Sequence, residues 1–248
     1  IMVVDKANDA TLMKTIQNFK TKIQNKPDMT EEQIVKELMD YVDGLFSVTK
    51  NDNELLKLAN SFPVGEKILV GDIIDSGAGV CRHRALVAKL IADETGINMS
   101  YVKGSYADGH HAWNEVITKS GNKYLVDPMH RNLVNLADEN VLDLRTMNYV
   151  NGKSSNTLYY GENPKLKDFY NKVFSLQENQ GAKVNDITIA KIKDTNFAVY
   201  PSQGKKTLLN GQEVSAPAYL KNNDVLETLN EDGSTFKLIW SKDCFEND

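Results

Sequence analysis

A cysteine at the start of a helix has the clearest chemical potential in this sequence. Cys81 follows the glycine-punctuated loop 76–80 and precedes a run of good helix formers that ends at Gly96. Unpaired amides and the positive end of the helix dipole stabilise a thiolate at such a position. Gly79 leaves room for a substrate backbone, and the Cys81 amide is placed to hold an oxyanion. The alternative is a small buried core residue, which is the commoner role of a lone cysteine.

Two polar residues on a predicted hairpin are the candidate base and acid. His111 lies on its first strand and Asp127 on its second, joined by the loop Thr118–Asn122. If this loop has five residues, Trp113 lies opposite Asp127, so His111 and Asp127 share a face about 7–8 Å apart. In a triad, an imidazole takes the proton of the nucleophile and a carboxylate fixes its tautomer. The sequence therefore predicts catalytic roles for Cys81, His111 and Asp127.

The neighbouring aromatic and histidine residues have several open interpretations. Trp113 either walls a substrate site, together with Gly79, or belongs to the core. His110 points to the opposite face of its strand. His83 is turned about 200° from Cys81 on the helix, which favours packing or a hydrogen bond to the preceding loop. His130 either rims the cleft or is solvated.

A zinc site is the rival interpretation of these residues. It would use Cys81, His83 and one further histidine, but no familiar ligand spacing is present. The sequence therefore predicts no metal and no cofactor.

The elements that must position these residues follow a helix-then-strand order. The first sixty residues show two amphipathic helical patterns, and Thr30 with Gln33 forms a capping box that starts the second helix near Glu31. A strand over 98–102 and the hairpin come after the cysteine helix. This order predicts an α+β fold and not alternating βαβ units.

The last part of the chain has a different pattern. A helix over 164–176 and a polar connector over 177–183 precede five short strand candidates, with Asn-Gly and Asp-Gly turns at 210–211 and 232–233. We predict a cysteine-enzyme domain over 1–180 and a small β-sandwich-like domain over 181–248.

Composition excludes several classes of function. The 248 residues carry a formal net charge of -5, which argues against nucleic-acid binding. No apolar stretch has membrane-spanning length, and the N-terminal segment lacks signal-peptide order. Cys81 and Cys244 are the only cysteines, which favours a reducing, cytoplasmic location, although one disulfide between them is the open alternative.

Three segments carry a resemblance to a known superfamily: GVCRHRALVAKLIADETGI, HHAWNEV and KYLVDPMHR. They resemble the signature blocks of the transglutaminase-like superfamily, which shares its core with papain-type cysteine proteases. The CRHRAL block is also similar to amino-terminal domains of plant Raf-like kinases and related bacterial domains. By this resemblance Cys81 is the nucleophile, His111 the base and Asp127 the third member.

The resemblance implies a cysteine-dependent acyl transfer on protein or peptide amides, as a protease, a deamidase or a transglutaminase. Such domains recur in bacterial effectors, which gives secretion into a host cell as the alternative location. The rival function is a non-catalytic protein-interaction module on the same fold. The C-terminal segment is faintly similar to a forkhead-associated domain, without the residues that read phosphothreonine, and is a possible surface for a protein partner.

Overall fold

The chain folds into helices and mainly antiparallel sheets, which confirms the predicted α+β class. The structure is a computed structural model that describes residues 1–46, 65–106, 109–151, 164–201, 204–230 and 232–242. Its contacts define two compact units, one of residues 1–103 and 111–134 and one of residues 104–110 and 135–248. Across these described ranges, no helix has the length and apolar character needed to cross a membrane.

The described residues of the first unit include four helices, and local sequence signals set their ends. They are α1 (Ala10–Gln24), α2 (Glu31–Leu45), α3 (Val70–Ser76) and α4 (Cys81–Thr95). Thr30 accepts the Gln33 amide and the Gln33 side chain accepts the Thr30 amide, so α2 begins at Glu31 as predicted. Gly96 ends α4 in the left-handed conformation, at φ 75°.

The apolar faces of these helices form one core. Its members recur at three- and four-residue steps along each helix, and they include Leu12, Ile16, Phe19, Val35, Leu38, Val42, Val87, Ala88 and Ile91. Each fully buried Leu, Ile, Val or Phe contributes about 1.5–3 kcal/mol relative to an exposed position. This packing holds α4, and therefore its first residue, in a fixed place.

The sheet beside this core places the hairpin. Its strands β3 (Met99–Tyr106), β4 (Gly109–Ile117), β5 (Lys123–Asp127) and β6 (Asn132–Asn135) have the order β6-β5-β4-β3, and a short parallel pair, β1 (Met2–Val3) and β2 (Ile68–Leu69), lies apart from them. In the hairpin, Asn114 is opposite Val126 and Ile117 is opposite Lys123. The same register puts Trp113 opposite Asp127, as the five-residue loop predicts.

In its described residues, the second unit contains one α-helix and two sheets of its own. The end of β3 pairs with β8 (Tyr149–Asn151). The elements are β7 (Val141–Asp143), a 3-10 turn (Leu144–Asn148), α5 (Pro164–Phe174), β9 (Gly181–Val184), β10 (Ile187–Lys193), β11 (Asn196–Tyr200), β12 (Thr207–Leu209), β13 (Gln212–Glu213), β14 (Ala218–Tyr219), β15 (Val225–Leu229) and β16 (Thr235–Ile239). One sheet has the order β14-β11-β10-β9 and the other β13-β12-β15-β16-β7, and β7 runs parallel to its neighbour β16.

The two sheets of the second unit share one core with α5. Leu166, Phe169 and Val173 of α5 belong to the same buried cluster as residues of both sheets. Contacts therefore group residues 135–180 with the C-terminal strands. The predicted boundary at residue 180 stays a prediction.

Candidate active site

The first residue of α4 is a half-buried free thiol, Cys81. The preceding residue, Val80, is extended, and its carbonyl accepts the amides of His83 at 2.9 Å and Arg84 at 3.1 Å. The Arg82 amide donates to the Cys81 sulfur. Within the described residues, the Cys81 amide itself has no acceptor. A free amide beside a nucleophilic sulfur is the donor that a developing oxyanion requires.

His83 completes the start of the helix. Its Nδ1 accepts the Val80 amide at 3.2 Å, as the predicted bond to the preceding loop requires. Burial and the charge of Arg82 lower the pKa of His83 to about 4, so the ring is a neutral acceptor at pH 7. Because this nitrogen is already bound to the loop, His83 is a structural residue of the helix start.

His111 stands between the thiol and a carboxylate. It is buried on β4, and its Nε2 lies 2.6 Å from Oδ2 of Asp127. A second hydrogen bond joins the imidazole to Cys81, and since Nε2 faces Asp127, it is Nδ1 that faces the sulfur. The ring stacks on Trp113, with centroids 6.0 Å apart and planes at 19°. The structure therefore brings the three predicted residues together in the predicted order.

Asp127 is fully buried at the end of β5, and its carboxylate is saturated with donors. Oδ1 accepts the amides of Met129 at 2.9 Å and His130 at 3.3 Å. Oδ2 is bound by His111 and, at 2.8 Å, by Nδ1 of His130. Burial raises the pKa of Asp127, but the hydrogen bonds from His111 and His130 outweigh it and hold that pKa well below its usual range. Asp127 is therefore a fixed negative charge beneath the imidazole.

The charges of Cys81 and His111 stabilise each other. Burial lowers the pKa of His111, but the hydrogen bonds to Asp127 and Cys81 reverse this and raise it to about 9. Burial raises the pKa of the Cys81 thiol, and the bonds from His111, from the Ala112 amide and from the Arg82 amide together lower it below its ordinary value. This geometry therefore favours the charged forms of both groups, a thiolate beside an imidazolium.

The sequence pattern does not predict the roles of three side chains at the site. His130 binds the carboxylate of Asp127, although the sequence indicates only a cleft-rim or solvated residue; its position three residues after an Asp-Pro turn is the signal that could have revealed it. Arg84 is buried and contacts the loop before Cys81. Tyr101 lies near Cys81, and burial together with the negative charge of the thiolate raises the pKa of its phenol.

The two predicted substrate-contact residues are both buried. Trp113 has no exposed surface and forms the wall behind the His111 ring. Gly79 packs on Phe46, whose ring would lie 2.4 Å from an added Cβ. In this conformation burial disfavours direct substrate contact, and their substrate-binding role stays a prediction without support from the geometry.

One further residue near the nucleophile has a structural partner. Asp75, upstream of Cys81, accepts the hydroxyl of Thr11 at 2.8 Å. The Asp75 carboxylate therefore acts as an acceptor and does not supply a hydrogen-bond donor for an oxyanion. The Cys81 amide remains the oxyanion donor that the described residues support.

His111, Asp127 and His130 are the group of metal-binding side chains in the described part of the chain. Their candidate ligand atoms all lie within 4.8 Å of one another. The hydrogen bonds from both rings to Oδ2 of Asp127 account for this closeness without an ion. The rival zinc site needs Cys81, His83 and one further histidine. Among the described residues, these side chains do not form such a group.

Comparison with known proteins defines the class. The family described as EDR1/CTR1/ARMC3, peptidase-like, matches residues 1–132. This match covers more than half of the 248 residues, and the chain belongs to that family. No curated protein and no solved structure matches the chain.

The matched range contains every residue of the site described above, from Cys81 to His130. The membership supports a peptidase-like fold, which agrees with the resemblance to papain-type cysteine proteases at the level of the fold. The likeness of the C-terminal segment to a forkhead-associated domain stays a prediction.

Proposed function

We propose that this protein is a cysteine-dependent acyl-transfer enzyme that acts on protein or peptide amides. The observation that carries the proposal is the continuous hydrogen-bonded chain from Cys81 through His111 to the fully buried Asp127. A buried carboxylate with all its acceptor positions filled has little freedom to rotate, so it fixes the ring and the tautomer of His111.

The reaction follows from the positions of these groups. The Cys81 thiolate attacks the amide carbonyl carbon, and the oxyanion that forms is held by the Cys81 amide. His111 gives its proton to the leaving nitrogen as the carbon–nitrogen bond breaks, which leaves a thioester and a neutral imidazole. His111 then removes a proton from water, or from an amine, as that nucleophile attacks the thioester. The products are an acid or a new amide, and the thiolate and imidazolium are restored.

The pH dependence of the thiol tests the proposal. In a Cys244→Ser background, so that only Cys81 reacts, alkylation by iodoacetamide is measured from pH 5 to 9.5 by mass spectrometry. We expect reaction well below the ordinary thiol pKa of about 8.5. Turnover on an amide substrate should fall above about pH 9, because His111 then lacks the proton that the leaving nitrogen needs.

Two variants complete this experiment. Cys81→Ala should abolish labelling, and His111→Ala should move the onset of labelling to the ordinary thiol range because the main partner of the thiolate is gone. If the parent reacts only near pH 8.5 and His111→Ala reacts like the parent, the catalytic proposal fails. The same fold would then serve as a non-catalytic interaction module.

The substrate-binding surface, the cellular location and a partner of the C-terminal unit stay proposals. The second unit has its own core of two sheets and one helix, which supports its use as a separate module for a protein partner. A cytoplasmic location, or delivery into a host cell as an effector, stays a prediction from the sequence.

A further inference from the structure

A buried arginine contacts both the nucleophile loop and the turn after the acid. Arg84 lies on α4, three residues after Cys81, and is 4% exposed. Its Nε donates to the carbonyl of Gly79 at 2.7 Å, and one terminal nitrogen lies 3.5 Å from the carbonyl of Pro128. Gly79 is two residues before the nucleophile and Pro128 directly follows Asp127. One rigid guanidinium therefore joins the backbones at both ends of the triad.

The same guanidinium is anchored on α2. It forms an ion pair with the carboxylate of Asp43 and donates to the carbonyl of Phe46 at 2.7 Å. A buried cation is costly without a partner, and Asp43 supplies the opposite charge. Arg84 thus ties the loop and the turn to a helix that belongs to the main core.

The ring of Phe46 explains why the loop has a glycine at this point. Arg84 lies over that ring at 5.6 Å from its centroid, within cation–π range. The same ring also lies against Gly79, where an added Cβ would be 2.4 Å from it. Phe46, Gly79 and Arg84 form a packed stack, which we call the arginine clamp, and it determines the path of the chain into Cys81.

We propose that Arg84 is a positioning residue that sets the Cys81 thiolate against His111 and Asp127. This inference rests on the proposed function, since it assigns the residue that aligns that site. A lysine would keep the charge, but its single ammonium lacks the planar fork that engages Gly79, Phe46 and Asp43 at once. The guanidinium geometry, and not the charge alone, is what the site requires.

The test compares Arg84→Lys with a matched surface change, Arg131→Lys. Arg131 is exposed and pairs with the same Asp43, at 3.8 Å, and with Asp40, at 3.1 Å. Both variants are made in the Cys244→Ser background. Iodoacetamide labelling of Cys81 is measured as a function of pH, at a temperature well below the melting temperature of each variant. We expect Arg84→Lys to raise the thiol pKa by about one unit, which lowers the thiolate fraction about tenfold at pH values well below the parent pKa. Arg131→Lys should keep the parent profile.

A second variant, Asp43→Asn, keeps the guanidinium and its carbonyl partners but removes the charge that anchors it. Asp43→Asn should raise the thiol pKa of Cys81 by a smaller amount than Arg84→Lys does. If Arg84→Lys does not fold, Asp43→Asn alone tests the inference. A folded Arg84→Lys or Asp43→Asn protein with a lower melting temperature and the parent pH profile overturns the inference, because Arg84 then only stabilises the fold. If the parent thiol itself titrates near 8.5, the proposed function fails together with the inference, and this result is distinct from the first.

Discussion

Replacing Asp127 by asparagine separates a triad from three residues that merely lie close together. The carboxylate faces two backbone amides with Oδ1 and two imidazole rings with Oδ2. An amide has one oxygen and one NH2 group, so it cannot accept on both sides. With the oxygen toward the backbone, the NH2 group meets Nε2 of His111 and forces the ring proton onto Nδ1, which faces Cys81. In the opposite orientation, the NH2 group meets two amide donors and leaves them unpaired.

The magnitude follows from the His111 imidazolium. The rise of its pKa from 6.5 to about 9 corresponds to about 3 kcal/mol in favour of the charged ring. Burial opposes this charge, and the stabilisation comes from Asp127 and Cys81 together. Without Asp127 we expect the His111 pKa to return to its ordinary range or below. We expect turnover to fall about 10⁴-fold, the cost of a reversed tautomer in a serine protease triad.

The assay combines thiol labelling with direct observation of the ring. Iodoacetamide labelling at pH 6.5 in the Cys244→Ser background reports the thiolate, and imidazole nitrogen NMR reports the tautomer and pKa of His111. The matched control is Asp93→Asn, which changes an aspartate on the same helix as Cys81 that pairs with Lys89. An Asp127→Asn protein within a few-fold of the parent in labelling and turnover would refute the reasoning. Asp127 would then be a turn residue, and at best a Cys81 and His111 pair would remain.

Two further predictions concern stability. Gly79→Ala should destabilise the fold by about 1–3 kcal/mol, as overpacking usually does, because its Cβ meets the Phe46 ring. Urea unfolding measures it against Gly44→Ala, whose Cβ meets no atom within 4 Å; equal stability of the two would contradict the packing. The second is an acid effect of Asp127, whose folded pKa lies below its ordinary value of 3.8. Its stabilisation is complete above about pH 4–5 and is lost as the pH falls further, because the unfolded chain binds the proton first. The difference in unfolding free energy between parent and Asp127→Asn should therefore shrink steadily as the pH falls below about 4, and a constant difference would show that the carboxylate charge does not contribute to stability.

Local patterns allowed much of the fold and the three central residues to be predicted. The start of α2 depends on Thr30 and Gln33, which are three residues apart, and α4 ends at a glycine directly after its last turn. The hairpin register depends on the length of one short loop. Each of these signals lies within a few positions of the sequence, so it can be recognised without the structure.

The supporting residues could not be predicted in the same way. Arg84 bonds to groups of Asp43, Phe46 and Pro128, which lie 38 to 44 positions away in sequence. The sequence interpretation of Gly79 as a substrate contact cannot take Phe46 into account for the same reason, because the two residues lie far apart in sequence. A glycine in the sequence gives no sign of whether a ligand or a packed ring lies beside it. Short elements such as α3 and β7 carry too few residues for a periodic signal.

The proposed nucleophile lies on a helix and its proposed base on a sheet strand, so the proposed chemistry requires the folded state. In an unfolded chain Cys81 has no imidazole beside it and remains an ordinary thiol that is mostly protonated at neutral pH. The reactive form appears only when α4 docks on β4 and the hairpin closes on Asp127. If the proposal holds, the reactivity of the Cys81 sulfur reports that the tertiary structure around it is complete.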